Sequence, residues 1–229
     1  MYTNIILIPY RNRKRHLDYF IEHSVPLIKE HLPNSKVVVI EQDGTELFNR
    51  GKILNVGFKE YQHDTQYFIT HDVDINPTKL FVNEKYNSNV TDNEVLGLFT
   101  SVCNTLGGII KLTSNTIFKI NGFPNDCWGW GGEDMALQRR SEFYNIKKHT
   151  FLLNDKSDKS KYMLRFDDIN DSQKMNNSKH VNEHSIKFSR MDHNEKLNHI
   201  LNSGLNNIKY NIMERYYVQD IVELIKVKI

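Results

Sequence analysis

Cysteine is close to absent from this chain: Cys103 and Cys127 are the only two in 229 residues. That is too few for a disulfide framework, and the two have no paired spacing for zinc, so a reducing compartment is expected. Long apolar runs are missing as well. The N-terminal stretch MYTNIILIPYRNRKRH holds an apolar run of about six residues before Arg11, far short of a signal-peptide core or the roughly 20 residues of a membrane span. A soluble, cytoplasmic protein without a membrane anchor is the expectation. Neither charge sign dominates: Lys plus Arg number 30 against 28 Asp plus Glu, a formal charge of +2. So weak an excess argues against nucleic acid or an anionic membrane as the main partner. There is no internal repeat, heptad pattern, collagen period or clear linker. Three Asn-X-Ser/Thr sequons, at Asn89, Asn170 and Asn176, read as chance in an Asn-rich chain.

What is present is an alternation of short apolar runs and helical spacings. Residues 4–9 and 36–41 (KVVVIE) read as buried strands, and between them Leu17, Phe20, Ile21, Val25, Ile28 and Leu32 recur largely at three- and four-residue steps. Pro26 is predicted to kink or divide that helix. Residues 50–61 form a second amphipathic pattern through Ile53, Leu54, Gly57 and Phe58, and residues 67–70 a third strand. A polar loop is predicted over 83–93, strands at 95–99 and from 107, a short helix capped by Ser114, and an exposed helix over 133–144. Residues 154–198 are polar and nearly free of apolar runs, which leaves a flexible lid and an ordinary loop both open. Residues 208–229 are apolar enough to close back onto the core. The length suits a single α/β catalytic domain over 1–229.

Two tracts carry chemistry. His71-Asp72-Val73-Asp74 follows the third strand, and carboxylates just past a buried strand of an α/β sheet stand where such folds bind ligands. One residue between two acids is a common way to present oxygen to Mg²⁺ or Mn²⁺, which in turn holds a nucleotide diphosphate. The second tract, NGFPNDCWGWGGEDM over residues 121–135, joins aromatic rings suited to the C–H faces of a sugar, glycines that let the backbone turn, and the acid pair Glu133-Asp134, able to orient and deprotonate a hydroxyl. Together they suggest metal-dependent sugar transfer.

Six motifs in order resemble the β-1,4-galactosyltransferase family: IPYRNR (8–13), FNRGKILNVGF (48–58), HDVDINP (71–77), Gly107-Gly108, INGFPNDCWGWGGED (120–134) and SGLNNIKY (203–210). The resemblance covers most of the chain. It implies a glycosyltransferase A-type fold, a Rossmann-like α/β architecture with a mixed central sheet, that binds a UDP-sugar donor with Mn²⁺ and transfers the sugar to a glycan or glycoconjugate acceptor. By the same resemblance Pro9, Arg11 and Arg13 contact uridine and diphosphate, Phe48 stacks on uracil with Arg50 beside it, and Thr105 and Gly108 line the donor sugar. Asp74 is the implied metal ligand, Asp72 the acid beside ribose and sugar, and Val73 a backbone contact at the metal site. Trp130 closes over donor and acceptor with Trp128 packing on it, Gly132 and Glu133 hold the acceptor, and Asp134 is the general base.

The chain also departs from the family pattern. The second metal motif, Met-x-x-His, has its nearest match in Val181-Asn182-Glu183-His184, which makes His184 the candidate ligand and His180 its alternative. The disulfides and the N-terminal anchor of the animal enzymes are expected to have no counterpart. Met135 replaces an acid that grips N-acetylglucosamine, so acceptor identity stays open. Thr105 stands where vertebrate galactosyltransferases carry a tyrosine against the donor's C2 substituent, which leaves galactose and N-acetylgalactosamine both in play. Two other classes remain as readings: a metal-dependent nucleotidyltransferase, against which stands the lack of a Gly-rich, Lys-bearing phosphate loop, and a catalytically inactive sugar- or nucleotide-binding module. Oligomeric state is not legible.

Overall fold

A computed structural model of the chain describes residues 1–99, 105–129, 131–151, 163–165 and 187–229. Ten strands run in chain order as β1 (Tyr2–Tyr10), β2 (Ser35–Gln42), β3 (Thr65–His71), β4 (Ile75–Pro77), β5 (Glu94–Phe99), β6 (Ile109–Thr113), β7 (Lys147–Thr150), β8 (Met163–Arg165), β9 (Asn211–Gln219) and β10 (Val222–Lys228). Eight of them form one mixed sheet in the order β7-β5-β6-β3-β1-β2-β10-β9, while β4 and β8 pair separately. β1 runs parallel to both β2 and β3, and β6 turns antiparallel against β3 and β5.

The reason β1 lies at the centre is that it is apolar on both faces. Ile5, Ile6, Leu7 and Ile8 are each 0% exposed. Because side chains alternate along a strand, Ile6 and Ile8 join Val37, Val39 and Ile69 in one core, and Ile5 and Leu7 join Val38, Ile40 and Phe68 in another. Helix α1 (residues 14–31) covers the first face through Leu17, Phe20, Val25 and Ile28. Helix α2 (Arg50–Glu60) covers the second through Ile53, Leu54, Val56 and Phe58. Pro26 does not divide α1. A wide π turn at Phe20–Ser24 precedes it, and Pro26 falls in the first turn of the segment Val25–His31, where its missing N–H and its ring are tolerated.

Other boundaries also differ from the sequence expectation. Helix α3 (residues 79–86) enters the stretch read as a polar loop, because Tyr86 is fully buried and draws the chain inward. Helix α4 (Ser114–Lys119) is capped by Thr113, whose hydroxyl accepts from Thr116 N at 3.1 Å; Ser114 is already its first residue. Helix α5 (Glu133–Phe143) is not simply exposed, since Ala136, Leu137, Arg140 and Ser141 form a buried face. Helix α6 (His193–Asn202) begins inside the region read as lid and loop, announced by the reciprocal cap of Asp192 and Glu195. Most of residues 154–198 lies outside the described residues.

The C-terminal segment does close onto the sheet, but only half of it is buried. β10 lies in parallel register with β2, whereas all nine residues of β9 are exposed at the edge. A buried ion pair fixes the hairpin: Lys36 Nζ lies 2.5 Å from Glu223 Oε2, and Tyr61 Oη donates to the same oxygen. Among the described residues, no helix is long and apolar enough to cross a membrane.

A second buried cation gives the fold a pH dependence. Lys111 in β6 is 3% exposed, donates to Tyr86 O at 2.7 Å and stands 4.6 Å from the centre of the Tyr67 ring. Burial lowers its pKa from 10.5 to about 8. Between those values the unfolded chain binds more protons at this site than the folded one, so this group makes stability rise as pH rises from about 8 to 10.5. Lys111→Met is expected to remove that increment, measured as the difference in urea-unfolding stability between wild type and mutant across this window; parallel pH curves for the two proteins would contradict it.

Candidate active site

The connections of β1, β2 and β3 place a crevice at one edge of the sheet. α1 leads from β1 to β2 over one face, and α2 leads from β2 to β3 over the other, so the chain winds in opposite senses on either side of β1. In parallel α/β sheets such a switch point opens a ligand cleft beyond the carboxyl ends of the strands. Arg11 and Arg13 leave the end of β1, Asp72-Val73-Asp74 leave the end of β3, and Phe48 and Arg50 arrive at the start of α2.

Arg50 is the hub. Its Nε donates to Asp72 Oδ1 at 2.7 Å, and its Nη1 donates to Asp134 Oδ1 at 3.0 Å and stands 3.7 Å from Glu133 Oε1. Nη2 is buried and has no hydrogen-bond partner among the described residues. Desolvation works against the cation, but Asp72, Asp134 and Glu133 outweigh it and raise its pKa, so the guanidinium stays charged. Burial, followed by the neighbouring charge of Asp134, raises the Glu133 carboxyl, and burial raises Asp134 as well. Both acids sit in the first turn of α5, where Gly132 at φ 96° sets a chain direction that side-chain-bearing residues rarely adopt.

Beside this group, Arg13 Nη1 pairs with Asp74 Oδ2 at 3.0 Å. Val73 turns inward and is 4% exposed, leaving its backbone at the turn. His71 Nδ1 donates to Asp72 O at 2.9 Å, and burial lowers its pKa to about 4, so the ring is neutral. Arg11 lies with Cζ 5.4 Å from the centre of the Phe48 ring and donates through Nη1 to Glu46 O. Phe48 is tied in turn to the tryptophan tract, because its carbonyl accepts from Gly129 N at 2.9 Å. Lys52 stands over the Trp128 ring at 5.6 Å.

Arg11, Arg13, Phe48, Arg50, Asp72, Val73, Asp74, Glu133 and Asp134 therefore gather at one strand edge. Pro9 lies just behind them, buried within β1 opposite Ile40. Thr105 lines a cavity of about 510 Å³ with Met135, Arg139, Glu142, Phe143 and Phe188, along the length of α5. Gly108 follows at φ 75°. Trp130, His184 and His180 lie outside the described residues. Among the described residues, no group of three or more His, Cys, Asp or Glu forms a metal cluster. Asp72 and Asp74 nonetheless fit a hard divalent ion in donor type, since such ions are often held by one or two carboxylates with phosphate oxygens and water.

Several contributors escaped the sequence reading. A Cβ at Gly107 would fall 2.1 Å from Asp134 Oδ2, so Gly107 makes room for the acid, whereas a Cβ at Gly108 would meet Phe99. Its signal was in hand, in the glycine pair. Arg140, 1% exposed, donates to the carbonyls of Asn121, Gly122 and Ser203, and burial lowers its pKa to about 10. Asn55 clasps Phe123 from both sides, giving Nδ2 to its carbonyl and accepting its N–H. Asn125 N donates to Ser203 Oγ, and Asn125 Nδ2 to Gly204 O, each at 2.9 Å. These bonds explain why SGLNNIKY accompanies the tryptophan tract: the one is the brace of the other.

Known proteins resemble this chain in sequence and in fold. Residues 1–83 match the family described as the N-terminal region of glycosyl transferase group 7, and residues 98–167 match the one described as the N-terminal domain of galactosyltransferase. The chain is 34% identical over 180 residues to β-1,4-galactosyltransferase 4 of Rattus norvegicus, covering 76% of this chain and 51% of that protein. It is 37% identical over 148 residues to the Homo sapiens β-1,4-galactosyltransferase 4, covering 62% and 43%. The chain thus spans about half the length of the curated relatives it matches. A solved Drosophila β-1,4-galactosyltransferase 7, a complex with manganese, UDP-Gal and xylobiose, has the same fold at a TM-score of 0.77 and 20% identity, over 100% of this chain and 94% of that one. On its ordered motifs, its family matches and its fold, the chain belongs to the β-1,4-galactosyltransferase family, with that family's glycosyltransferase A-type architecture.

Proposed function

We propose that residues 1–229 act as one catalytic domain that transfers galactose or N-acetylgalactosamine from a UDP-sugar to a hydroxyl of a glycan acceptor, with inversion to a β-linkage. The observation that carries this reading is the convergence on Arg50 of Asp72 from the donor side and Glu133 and Asp134 from the acceptor side. One guanidinium joins the places where the bond breaks and where it forms. The Drosophila complex with manganese, UDP-Gal and xylobiose supports both the donor and acceptor classes and the metal.

In this reading Asp134 accepts the proton of the acceptor hydroxyl while Glu133, held by the same arginine, orients that hydroxyl. The oxygen attacks the anomeric carbon from the face opposite the departing group, the carbon–oxygen bond to diphosphate breaks, and UDP leaves with the electron pair. Arg11 and Arg13 lie where guanidinium groups can take phosphate oxygens, and Phe48 offers a face to uracil. Arg50 Nη2 is buried and has no hydrogen-bond partner among the described residues, so one donor nitrogen of this guanidinium is unused. Asp74, with His184 as the proposed further ligand, would hold Mn²⁺, and Asp72 would stand beside the ribose and the donor sugar. Such an ion, when bound, offsets charge on the leaving diphosphate. Trp130 is the proposed cover of donor and acceptor, with Trp128 as its proposed packing partner, and its closure would limit hydrolysis of the donor.

Three measurements test the assignment. Asp134→Asn is expected to lower kcat by about 10² to 10⁴-fold while UDP-sugar binding persists, the range for a lost general base; turnover comparable to wild type would move the base to Glu133. Asp74→Ala is expected to abolish the response of turnover to Mn²⁺, and excess chelator should silence the wild type; full UDP release in chelator would remove the metal from the reaction. Thr105, smaller than tyrosine, leaves volume beside the donor's C2, so the enzyme is expected to use UDP-N-acetylgalactosamine at least comparably to UDP-galactose. Thr105→Tyr should then shift preference toward galactose by an amount on the order of 1–3 kcal/mol. Strict galactose use by wild type, with the donor ratio unchanged in the mutant, would refute this.

A further inference from the structure

Each cation at the cleft is already engaged by the protein itself. Arg50 lies on three carboxylates, Arg11 lies over Phe48 and on Glu46 O, and Arg13 is paired with Asp74. The Arg13–Asp74 pair differs from the others in one respect: Asp74 is the acid assigned to the metal, and Arg13 is assigned to the diphosphate. A divalent ion on the Asp74 carboxylate and a guanidinium on the same carboxylate would be like charges a few ångströms apart in a partly buried place, where water screens them poorly. They compete for one position.

The construction around Arg13 lets its side chain move while its backbone stays. The Arg13 carbonyl accepts from His16 N and Leu17 N, both at 3.0 Å, which pins the residue as the cap of α1. Its side chain keeps 28% exposure against 10% for Asp74, so the arginine has an open side to swing toward and the acid does not.

We infer that Arg13 is an internal counter-ion that holds the metal position at Asp74 in the ligand-free protein and, once displaced by the metal, turns to bind the donor's diphosphate. Metal and nucleotide binding are then coupled through one side chain. The metal gives up part of its affinity to evict the arginine, and the freed arginine raises the affinity for the nucleotide; by linkage the nucleotide raises the affinity for the metal by the same factor. Asp74 in the meantime is never left as a partly buried carboxylate without a cation. This inference rests on the proposed role of Asp74 as a metal ligand.

The test is a titration of the nucleotide-free protein with Mn²⁺, read as free Mn²⁺ by electron paramagnetic resonance, in wild type, Arg13→Gln, Arg15→Gln and Asp74→Asn. Removing the competitor is expected to tighten Mn²⁺ binding by about five- to fifty-fold in Arg13→Gln. Arg15→Gln removes the same charge from an exposed neighbour and is expected to change affinity by less than about twofold, because screening by water and salt dilutes a general field effect. In a second titration with UDP, the gain in UDP affinity that Mn²⁺ confers on wild type is expected to shrink in Arg13→Gln. Unchanged or weaker Mn²⁺ binding in Arg13→Gln, with binding lost in Asp74→Asn, would overturn the counter-ion role and leave the metal site standing. Equal tightening in Arg13→Gln and Arg15→Gln would reduce the pair to a general charge effect and also overturn it. Wild-type Mn²⁺ binding in Asp74→Asn would overturn the ligand assignment itself and the inference with it.

Discussion

Three carboxylates from two distant parts of the chain cannot share a crevice unless a cation stands between them, and Arg50 meets that constraint here. Asp72 belongs to the end of β3, and Glu133 and Asp134 to the start of α5, yet all three lie within 3.7 Å of one guanidinium that is 12% exposed. Removing one member of a buried ionic group typically destabilises by about 3–5 kcal/mol, since the remaining charges keep their desolvation penalty. The position of Arg50 is itself secured by the cap of α2, where Asn49 Oδ1 accepts from Lys52 N, and by Gly51, whose missing side chain lets Phe123 approach. The acid past β3 and the acid pair at the start of α5 are thereby referred to a common point on one helix.

Around that point the structure contrasts a firm frame with a hydrogen-bonded brace. The frame is the sheet with its two cores, one on each face of β1. The brace is polar: Arg140, Asn55, Asn121 and Asn125 tie residues 121–125 to residues 200–206 through carbonyls, amides and the Ser203 hydroxyl. A buried Arg140 with no carboxylate ion pair among the described residues is expensive to desolvate, and its bonds to backbone carbonyls are what make it tolerable. An irregular loop of this kind needs its backbone groups satisfied one by one, which a helix or strand would do automatically. The result is a glycine-rich tract that enters α5 in a defined direction, so that Gly107 meets Asp134 at van der Waals range.

How much of this was legible follows from the kind of signal involved. β1, β2 and β3 were readable because continuous apolar runs flanked by helical spacing have few other solutions, and the place of Asp72 and Asp74 at the end of β3 was readable with them. Tyr86 was not, because a single aromatic in the polar stretch 83–93 leaves no period to detect, although its ring is fully buried. The face of α5 was misjudged at Arg140, since a charged residue on a helix reads as solvated until the carbonyls it serves are known. Thr113 and Ser114 are equally good caps in composition, and only the extended backbone of Thr113, at φ −76° and ψ 156°, decides between them. The pairing of Arg13 with Asp74 spans residues 61 apart and had no sequence signature at all.

The central claim, that this crevice carries out a single inverting displacement on a UDP-sugar, is tested most directly by the stereochemistry of the product. The protein is incubated with UDP-galactose or UDP-N-acetylgalactosamine, Mn²⁺ and a panel of simple glycoside acceptors, and the anomeric configuration of any new linkage is read by proton NMR as it forms. The expected result is a β-linked product appearing in step with UDP release. An α-linked product, or release of a nucleotide monophosphate with the sugar phosphate transferred intact, would contradict the account.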